Sequence, residues 1–543
     1  MTDYFSVAAA HKGASPSCQE IEDGLAVVAA NVGSYTGQGQ HYVGVILQRF
    51  VYTDSDRCSP KATSLALGIL KAFGRHTSNS SEIASRRAVG GLLELANKIY
   101  VSSEDARNMP YTSDICSDAL TCVANAMLIH PDCKSYAAER QSVAAIVGIL
   151  KAAKSDSTVV FLCARCILLL LNTKECAQYC VEQHNLQDVL ALAADTYLNC
   201  GSASNVPSGR FTPPQVLAEI LKAAMGLCTY FLRWIHTDAE PDDKKPTLDD
   251  AFPPNAAFAF IALLKVALDT LDKASPEGCH LDSSAKQAIA IAMNFPTHEP
   301  QDIRDIWLPS DRTWKHVDTI FGLFRDIVCH IVSDPGKNGS PPDNAASEYQ
   351  DELAPLALVL VRLVTEHSDV REHLFFKVYP RDPIDFAVLP EDRPGMSAKL
   401  VRLMRSPPGG MLPVSSIIGD FLLALLGNDI KQFILTVGYG NAAGYMVARH
   451  IEIPADIIEQ VNGASGGTKA VNPVTGRYWS QEDINQDLAN MTDEEKEREA
   501  ERLFVLFERL NKTGIIKTEN PVRAAVESGR FEELDADTHD DSE

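Results

Sequence analysis

From about Glu20 to about His450, apolar residues recur at i, i+3, i+4 and i+7, the spacing of an amphipathic helix with one buried stripe. The pattern predicts helices over Lys61–His76, Glu82–Tyr100, Ser113–His130, Tyr136–Ala153 and Ser157–Asn172, parted by short polar breaks such as Thr77–Ser80 and Lys154–Asp156. Helix pairs recur about every 40–47 residues, the period of armadillo and HEAT arrays. A single pair cannot bury its apolar stripe, so neighbours must stack, and a small rotation per repeat opens an inner groove along the stack. The expected fold is therefore all-α: an armadillo/HEAT-type right-handed superhelical solenoid, followed by a flexible C-terminal linker and a docking helix.

Three segments read as loops: Thr237–Asn255, acidic and proline-rich; Asp334–Ala346, with the same punctuation; and Val461–Lys469, rich in glycine. The expected organisation is a helical solenoid over 1–460, a linker over 461–490, an amphipathic helix over 491–511 and a tail over 512–543 with an acidic end. Thr492 and Glu495 match a capping box at the start of that last helix. Ala500, Leu503, Phe504, Phe507 and Leu510 then make one apolar stripe, which either folds back on the solenoid or docks on a partner.

Composition sharpens the picture. Of 543 residues 45% are hydrophobic but only 7% aromatic, with Ala and Leu favouring helices over strands. The net charge is −23, from 72 acids against 49 bases. Nucleic acid and broad docking on an anionic membrane are disfavoured, because both need clustered cations. The 13 cysteines, many in apolar helical stretches, and the lack of a signal-peptide pattern in the first residues point to reduced thiols in the cytoplasm. Val159–Leu171, the longest apolar stretch, is interrupted by Arg165 and is too short to span a bilayer.

Motifs for covalent chemistry are weak. Cys163 and Cys166 have CxxC spacing but sit in an apolar helix without a second ligand pair, so they read as core and no metal is expected. The serine of Gly463–Gly467 lacks the strand and helix that a nucleophile elbow needs. In Gly438–Gly444 the third glycine falls one position late for a dinucleotide fingerprint; these glycines read as the end of one helix and the close start of the next. No phosphate-binding GxxxxGK[ST] loop occurs. No cofactor is expected, and the chain does not read as an enzyme with a covalent active site.

Two cations, Lys71 and Arg75, lie four apart on one helical face, where they either hold a carboxylate or form a solvated helix end. Asn125 stands inside an apolar pattern and must be hydrogen-bonded if buried, or else face the groove.

Several segments resemble the synembryn (resistance to inhibitors of cholinesterase) family. Lys399–Met404 (KLVRLM), Gly438–Gly444 (GYGNAAG), Asn472–Arg477 (NPVTGR) and Met491–Glu497 (MTDEEKE) occur in the family's order and spacing. Asp118–Glu139 resembles a repeat with a Cys-x-x-Asn element, Glu219–Lys222 matches EILK, and Ala288–Pro296 is similar with several changes. The resemblance implies a protein that binds G-protein α subunits (Gα), assists their folding and releases their GDP. It implies a groove for the Gα C-terminal helix at Lys71, Arg75, Asn125 and Lys222, and a C-terminal segment, here Leu503, Phe504 and Phe507, on the Ras-like domain.

Departures from the family pattern are Gly226, Gln287, Pro407–Gly410 and the absence of an acidic Ser/Thr cluster before Asn472, so activation by phosphorylation there is not expected. A monomer in the cytoplasm is expected, drawn to the cell cortex or plasma membrane through Gα. The rival class is a scaffold or transport adaptor of armadillo type, which calls for inward rows of Trp and Asn; the chain has four Trp.

Overall fold

A computed structural model of the chain describes residues 18–33, 39–52, 58–101, 110–171, 173–200, 207–236, 252–274, 280–310, 313–332, 349–379, 386–393, 395–405, 413–452, 471–472 and 475–478. The regular structure of the described residues is helical, apart from one two-stranded hairpin and an isolated bridge. The chain divides into two compact units: Met1–Ile331 with Pro342–Arg371, and Val332–Pro341 with Glu372–Glu543.

The first unit is built of two rows of helices. One row runs α1 (Cys18–Ala30), α3 (Pro60–Phe73), α5 (Thr112–Ile129), α7 (Ser157–Leu170), α10 (Pro213–His236), α12 (Ser283–Ala292) and α15 (Gln350–Glu366), each packed on the next. After α2 (Gly39–Ile46), the second row runs α4 (Arg86–Val101), α6 (Arg140–Ala152), α9 (Leu186–Leu198), α11 (Ile261–Lys273) and α14 (Lys315–Ile331); α8 (Lys174–His184) fills in between α6 and α10. This is the stacked helix-pair architecture the periodicity predicts. The period itself drifts: first-row helices begin at residues 18, 60, 112, 157, 213, 283 and 350, and only the steps from 18 to 60 and from 112 to 157 fall within 40–47 residues. The predicted helix Tyr136–Ala153 is two helices, because Glu139 is extended (φ −63°, ψ 146°).

Local chemistry sets the helix starts. Ser59 accepts from the Ala62 amide with Pro60 in the first turn, Asp156 accepts from the Thr158 and Val159 amides, and Asp282 accepts from Ala285. These side chains satisfy N–H groups that the helix itself leaves open. Both rows then bury their apolar stripes between them: Leu67, Leu70 and Phe73 of α3, Leu120 and Val123 of α5, and Ile220, Leu221 and Leu227 of α10 are fully covered. Each such side chain contributes roughly 1.5–3 kcal/mol of burial.

Within α10, Pro213–Leu232 is long and apolar enough to cross a bilayer by length and composition, yet 72% of it is buried inside the protein. The longest apolar stretch in the sequence is Val159–Leu171; in Pro213–Leu232, Glu219 and Lys222 interrupt the apolar run.

The second unit contains α17 (Met396–Met404), α18 (Pro413–Leu425), α19 (Ile430–Val437) and α20 (Tyr439–Ala448), with α17 and α20 both packed on α18. Strands β1 (Val471–Asn472) and β2 (Arg477–Tyr478) pair antiparallel, Val471 opposite Tyr478 and Asn472 opposite Arg477. The predicted loops at 334–346 and 461–469 and the amphipathic helix 491–511 lie outside the described residues, as does 237–251 of the first loop.

Candidate functional site

Charge on the first row is sorted by depth. Helices α3, α5, α7, α10 and α12 carry six Lys or Arg (Lys61, Lys71, Arg165, Lys222, Arg233, Lys286) and three acids (Asp114, Asp118, Glu219). These five middle helices have more cations than acids in a chain of net charge −23, whereas the outer helices of the row, α1 and α15, add six acids and one cation. The acids mostly lie beneath. The Glu219 side chain is 2% exposed and pairs with Arg165, 35% exposed, and with Lys222, 38% exposed, whose Nζ lies 3.6 Å from Oε2. Asp118 is 13% exposed under Lys71. At the next step, Glu352 of α15 is 3% exposed and accepts from Lys286 Nζ at 2.7 Å, with His280 Nδ1 at 3.1 Å. Asp114, the exposed acid, sits in the first turn of α5.

Physical cause and consequence are linked here. A carboxylate set among apolar residues is costly unless cations and amides answer it. Burial pushes the Glu352 carboxyl up, but Lys286, the Leu281 amide and His280 together outweigh it and hold it below the usual carboxylate range. Each buried acid thus ties adjacent helices of the row together and leaves a cation as the outermost group.

The residues singled out from sequence fall on this row. Lys71 lies in the last turn of α3, whereas Arg75 falls in the turn beyond its Gly74 cap and so not on the same helical face; Arg75 is exposed, while Lys71 is half-buried and already paired with Asp118. Asn125 is half-buried on the neighbouring α5, one turn before Leu128, which is 57% exposed. Lys222 stands further along, on α10 beyond α7. The structure therefore places Lys71 and Asn125 on two adjacent helices, Arg75 in the turn just past α3, and Lys222 on the same row but apart from them. Leu503, Phe504 and Phe507 lie outside the described residues.

Sequence reasoning missed Arg165 and Lys286. The signal for Arg165 was present: a guanidinium in the middle of Val159–Leu171 needs an acid facing it, and Glu219 is an acid within an apolar helix. Cys163 and Cys166 are fully buried in α7, and burial pushes the Cys166 thiol up to about 12, so both are core groups. Among the described residues no group of His, Cys, Asp and Glu is arranged to hold a metal ion. Gly226 is buried where α10 meets Leu168 of α7, a β-carbon there standing 3.3 Å from Leu168 Cδ1.

In the second unit, three of the sequence motifs meet on one short segment, 386–393. Glu391 accepts from Asn441 Nδ2 (2.8 Å) of GYGNAAG, and its backbone carbonyl accepts from Arg402 Nε (2.8 Å) of KLVRLM. Arg393, 5% exposed, donates to the carbonyl of Thr436 (2.7 Å) at the end of α19 and to that of Gly476 (2.5 Å) in NPVTGR. The Tyr478 amide donates to the Phe386 carbonyl (2.7 Å). Gly438 ends α19 at φ +78°, as the glycine pattern predicts, and so starts α20 at once. Neither Glu391 nor Arg393 drew notice in the sequence, because a charged turn reads as solvated until its partners are known.

The family model for Ric8, guanine nucleotide exchange factor synembryn, matches residues 66–530. Chaperone Ric-8A of Bos taurus is 23% identical over 470 residues, 84% of this chain and 82% of the relative. Chaperone Ric-8A of Mus musculus is 23% identical over 473 residues, 84% and 83% of the two chains. A synembryn-like chaperone of Schizosaccharomyces pombe is 28% identical over 198 residues, 34% of this chain and 36% of the relative. The matched span takes in α4 through the hairpin and the segment 386–393 where its motifs converge. With a stacked all-helical first unit and these motifs in mutual contact, the chain belongs to the guanine nucleotide exchange factor synembryn family.

Proposed function

We propose that the protein binds G-protein α subunits and favours their nucleotide-free state, serving both as folding chaperone and as exchange factor. The observation that carries the reading is the middle of the first helix row: on a chain of net charge −23, cations lie over its buried acids, with Lys71 on α3, Arg75 just past its end and Asn125 on the adjacent α5. Such a face suits the C-terminal helix of Gα, whose chain-end carboxylate meets Lys71 and Arg75 while Asn125 supplies an amide and Leu128 an apolar contact. Lys222 extends the face further along the row. The apolar stripe of Leu503, Phe504 and Phe507 then engages the Ras-like domain.

Exchange follows by population shift. A surface that prefers the loosely ordered, empty Gα lowers its affinity for GDP by the same factor. Moving a two-state partner from 1:99 to 99:1 takes about 5.5 kcal/mol of differential binding. Two charge-assisted contacts at about 1.5–3 kcal/mol each approach that, and the apolar stripe supplies the remainder. The same preference holds a nascent Gα until GTP closes it. No covalent bond is made or broken on this chain, and no metal, cofactor or nucleic acid enters the cycle. The protein works as a monomer in the cytoplasm and reaches the cell cortex or plasma membrane through Gα.

The test is GDP release from a purified Gα with and without this protein. Acceleration, with capture of GDP-free Gα, is expected; neither effect would remove the function. The adaptor reading needs tryptophans on the groove, and Trp307 is instead fully buried with its Nε1 donating to the Pro296 carbonyl (3.2 Å).

A further inference from the structure

Arg75 lies outside α3, whose Gly74 cap donates its N–H to the Leu70 carbonyl (2.8 Å). The helix ladder therefore does not set the direction of Arg75; the turn after it does. That turn closes through the His76 N–H to the Phe73 carbonyl (3.1 Å) and the Asn79 N–H to the His76 carbonyl (3.0 Å), and it runs into the one-turn helix Thr77–Ser80. So short a helix is not stable by itself in water; this one packs on α2 and α5. Two side-chain bonds fasten it there. Gln40 Nε2 of α2 donates to the Ser78 carbonyl (2.8 Å), and Oγ of the fully buried Ser80 lies 2.7 Å from His130 Nε2. The Thr77 carbonyl, 3.3 Å from Ser80 Oγ, can only accept. The hydroxyl therefore donates to it, and the imidazole Nε2–H donates to the hydroxyl. His130 follows α5 directly, its N–H donating to the Ala126 carbonyl (2.8 Å), so it stands just beyond Asn125 and Leu128.

We propose that His130 is a positioning residue for Gα binding: its bond to Ser80 holds the turn that carries Arg75 against the end of α5 that carries Asn125 and Leu128. This rests on the proposed function. Lys71 needs no such help, because α3 and the Asp118 carboxylate already fix it. Arg75 has only its turn. A loose turn must be ordered when the partner's carboxylate arrives, and that ordering opposes affinity. One imidazole thus joins two parts of the face that come from segments 50 residues apart in sequence.

The test compares the full chain with His130→Phe, which keeps a ring but no donor, and His130→Gln, whose Nε2 reaches towards the same hydroxyl. Each is also made together with Arg75→Ala. The readouts are affinity for a synthetic Gα C-terminal peptide and hydrogen exchange at 74–81, with urea unfolding to confirm that every variant is folded under the assay conditions. His130→Phe should speed exchange of the turn's amides and weaken the peptide about fivefold, and His130→Gln should recover affinity to within about twofold. With Arg75 already removed, His130→Phe should add little, since it acts through that residue. Unchanged affinity in His130→Phe, no recovery in His130→Gln, or an undiminished loss in the absence of the Arg75 side chain would overturn the proposal. Should His130→Phe not fold, Ser80→Ala removes the same bond from its other end and must produce the same loss. An unaltered chain that ignores the peptide would instead overturn the functional reading beneath, and hydrogen exchange would still decide whether His130 holds the turn.

Discussion

Gly438 and Gly476 touch backbone to backbone: a β-carbon on Gly476 would stand 2.8 Å from the Gly438 nitrogen and 3.1 Å from its α-carbon. Both residues have positive φ, +78° and +71°. Two glycines from motifs separated by the whole of α20 and the chain beyond it are needed for the same contact.

Gly438→Ala is expected to destabilise the second unit by about 2–4 kcal/mol, the sum of an unfavourable backbone region and overpacking against Thr475. Gly427→Ala is the control: it has the same sign of φ (+71°) with nothing within 4 Å of the added carbon, so about 1 kcal/mol is expected. Urea unfolding of the two variants separates them; equal shifts would show that the Gly438–Gly476 contact is unimportant.

Removing Glu219 while leaving its cations should cost about 1–3 kcal/mol, the loss of charge-assisted hydrogen bonds to Arg165 and Lys222, which are each partly solvated. Replacing both, as in Arg165→Met with Glu219→Leu, should recover most of that loss. Simple addition of the two single-variant losses in chemical denaturation would contradict the coupling.

Arg75 is the cleaner probe of partner binding. Lys71→Glu sets a second carboxylate against Asp118 and so lowers stability along with affinity. Arg75→Glu alters an exposed site, and should leave the melting temperature unchanged while weakening a Gα C-terminal peptide tenfold or more, the equivalent of about 1.4 kcal/mol. An unaffected peptide affinity removes Arg75 from the site.

Acid sensitivity is expected at Asp272 in the second row. Burial raises its pKa, but His316, Lys315 and Thr319 outweigh that and bring it down to about 2 from the ordinary 3.8. A carboxyl depressed by folding stabilises the protein fully above its unfolded pKa, and that stability is lost as pH falls through the folded value. The contribution, on the order of 2 kcal/mol, should therefore fade between about pH 4 and pH 2. Asp272→Asn should flatten that part of the stability–pH curve relative to the unaltered protein; identical curves would place the acid sensitivity elsewhere.

Helices were legible because burial is periodic: Lys61–His76 and Ser157–Asn172 overlie α3 and α7 to within three residues. The break at Glu139 was not, since its extended backbone interrupts a pattern that apolar spacing alone continues. Lys71 and Arg75 were found by their four-residue spacing, although α3 stops at Phe73 before Arg75; the Asp118 beneath Lys71 was not, because a partner on another helix leaves no trace in local spacing. Arg393 and Glu391 were hidden for the same reason. Their partners lie 83 and 50 residues away in sequence, at Gly476 and Asn441.

The apolar character of α10 bears on how the chain is made. Helices α7, α8 and α9, which flank it, are already synthesised when it emerges, but α12, which also packs on it, ends 56 residues after His236. At about 5–20 residues per second, roughly 3–11 seconds pass on the ribosome with one flank of this helix uncovered. During that interval the nascent chain carries a stretch long and oily enough to be mistaken for a membrane anchor, so its own biogenesis calls for a shield before it can serve as one.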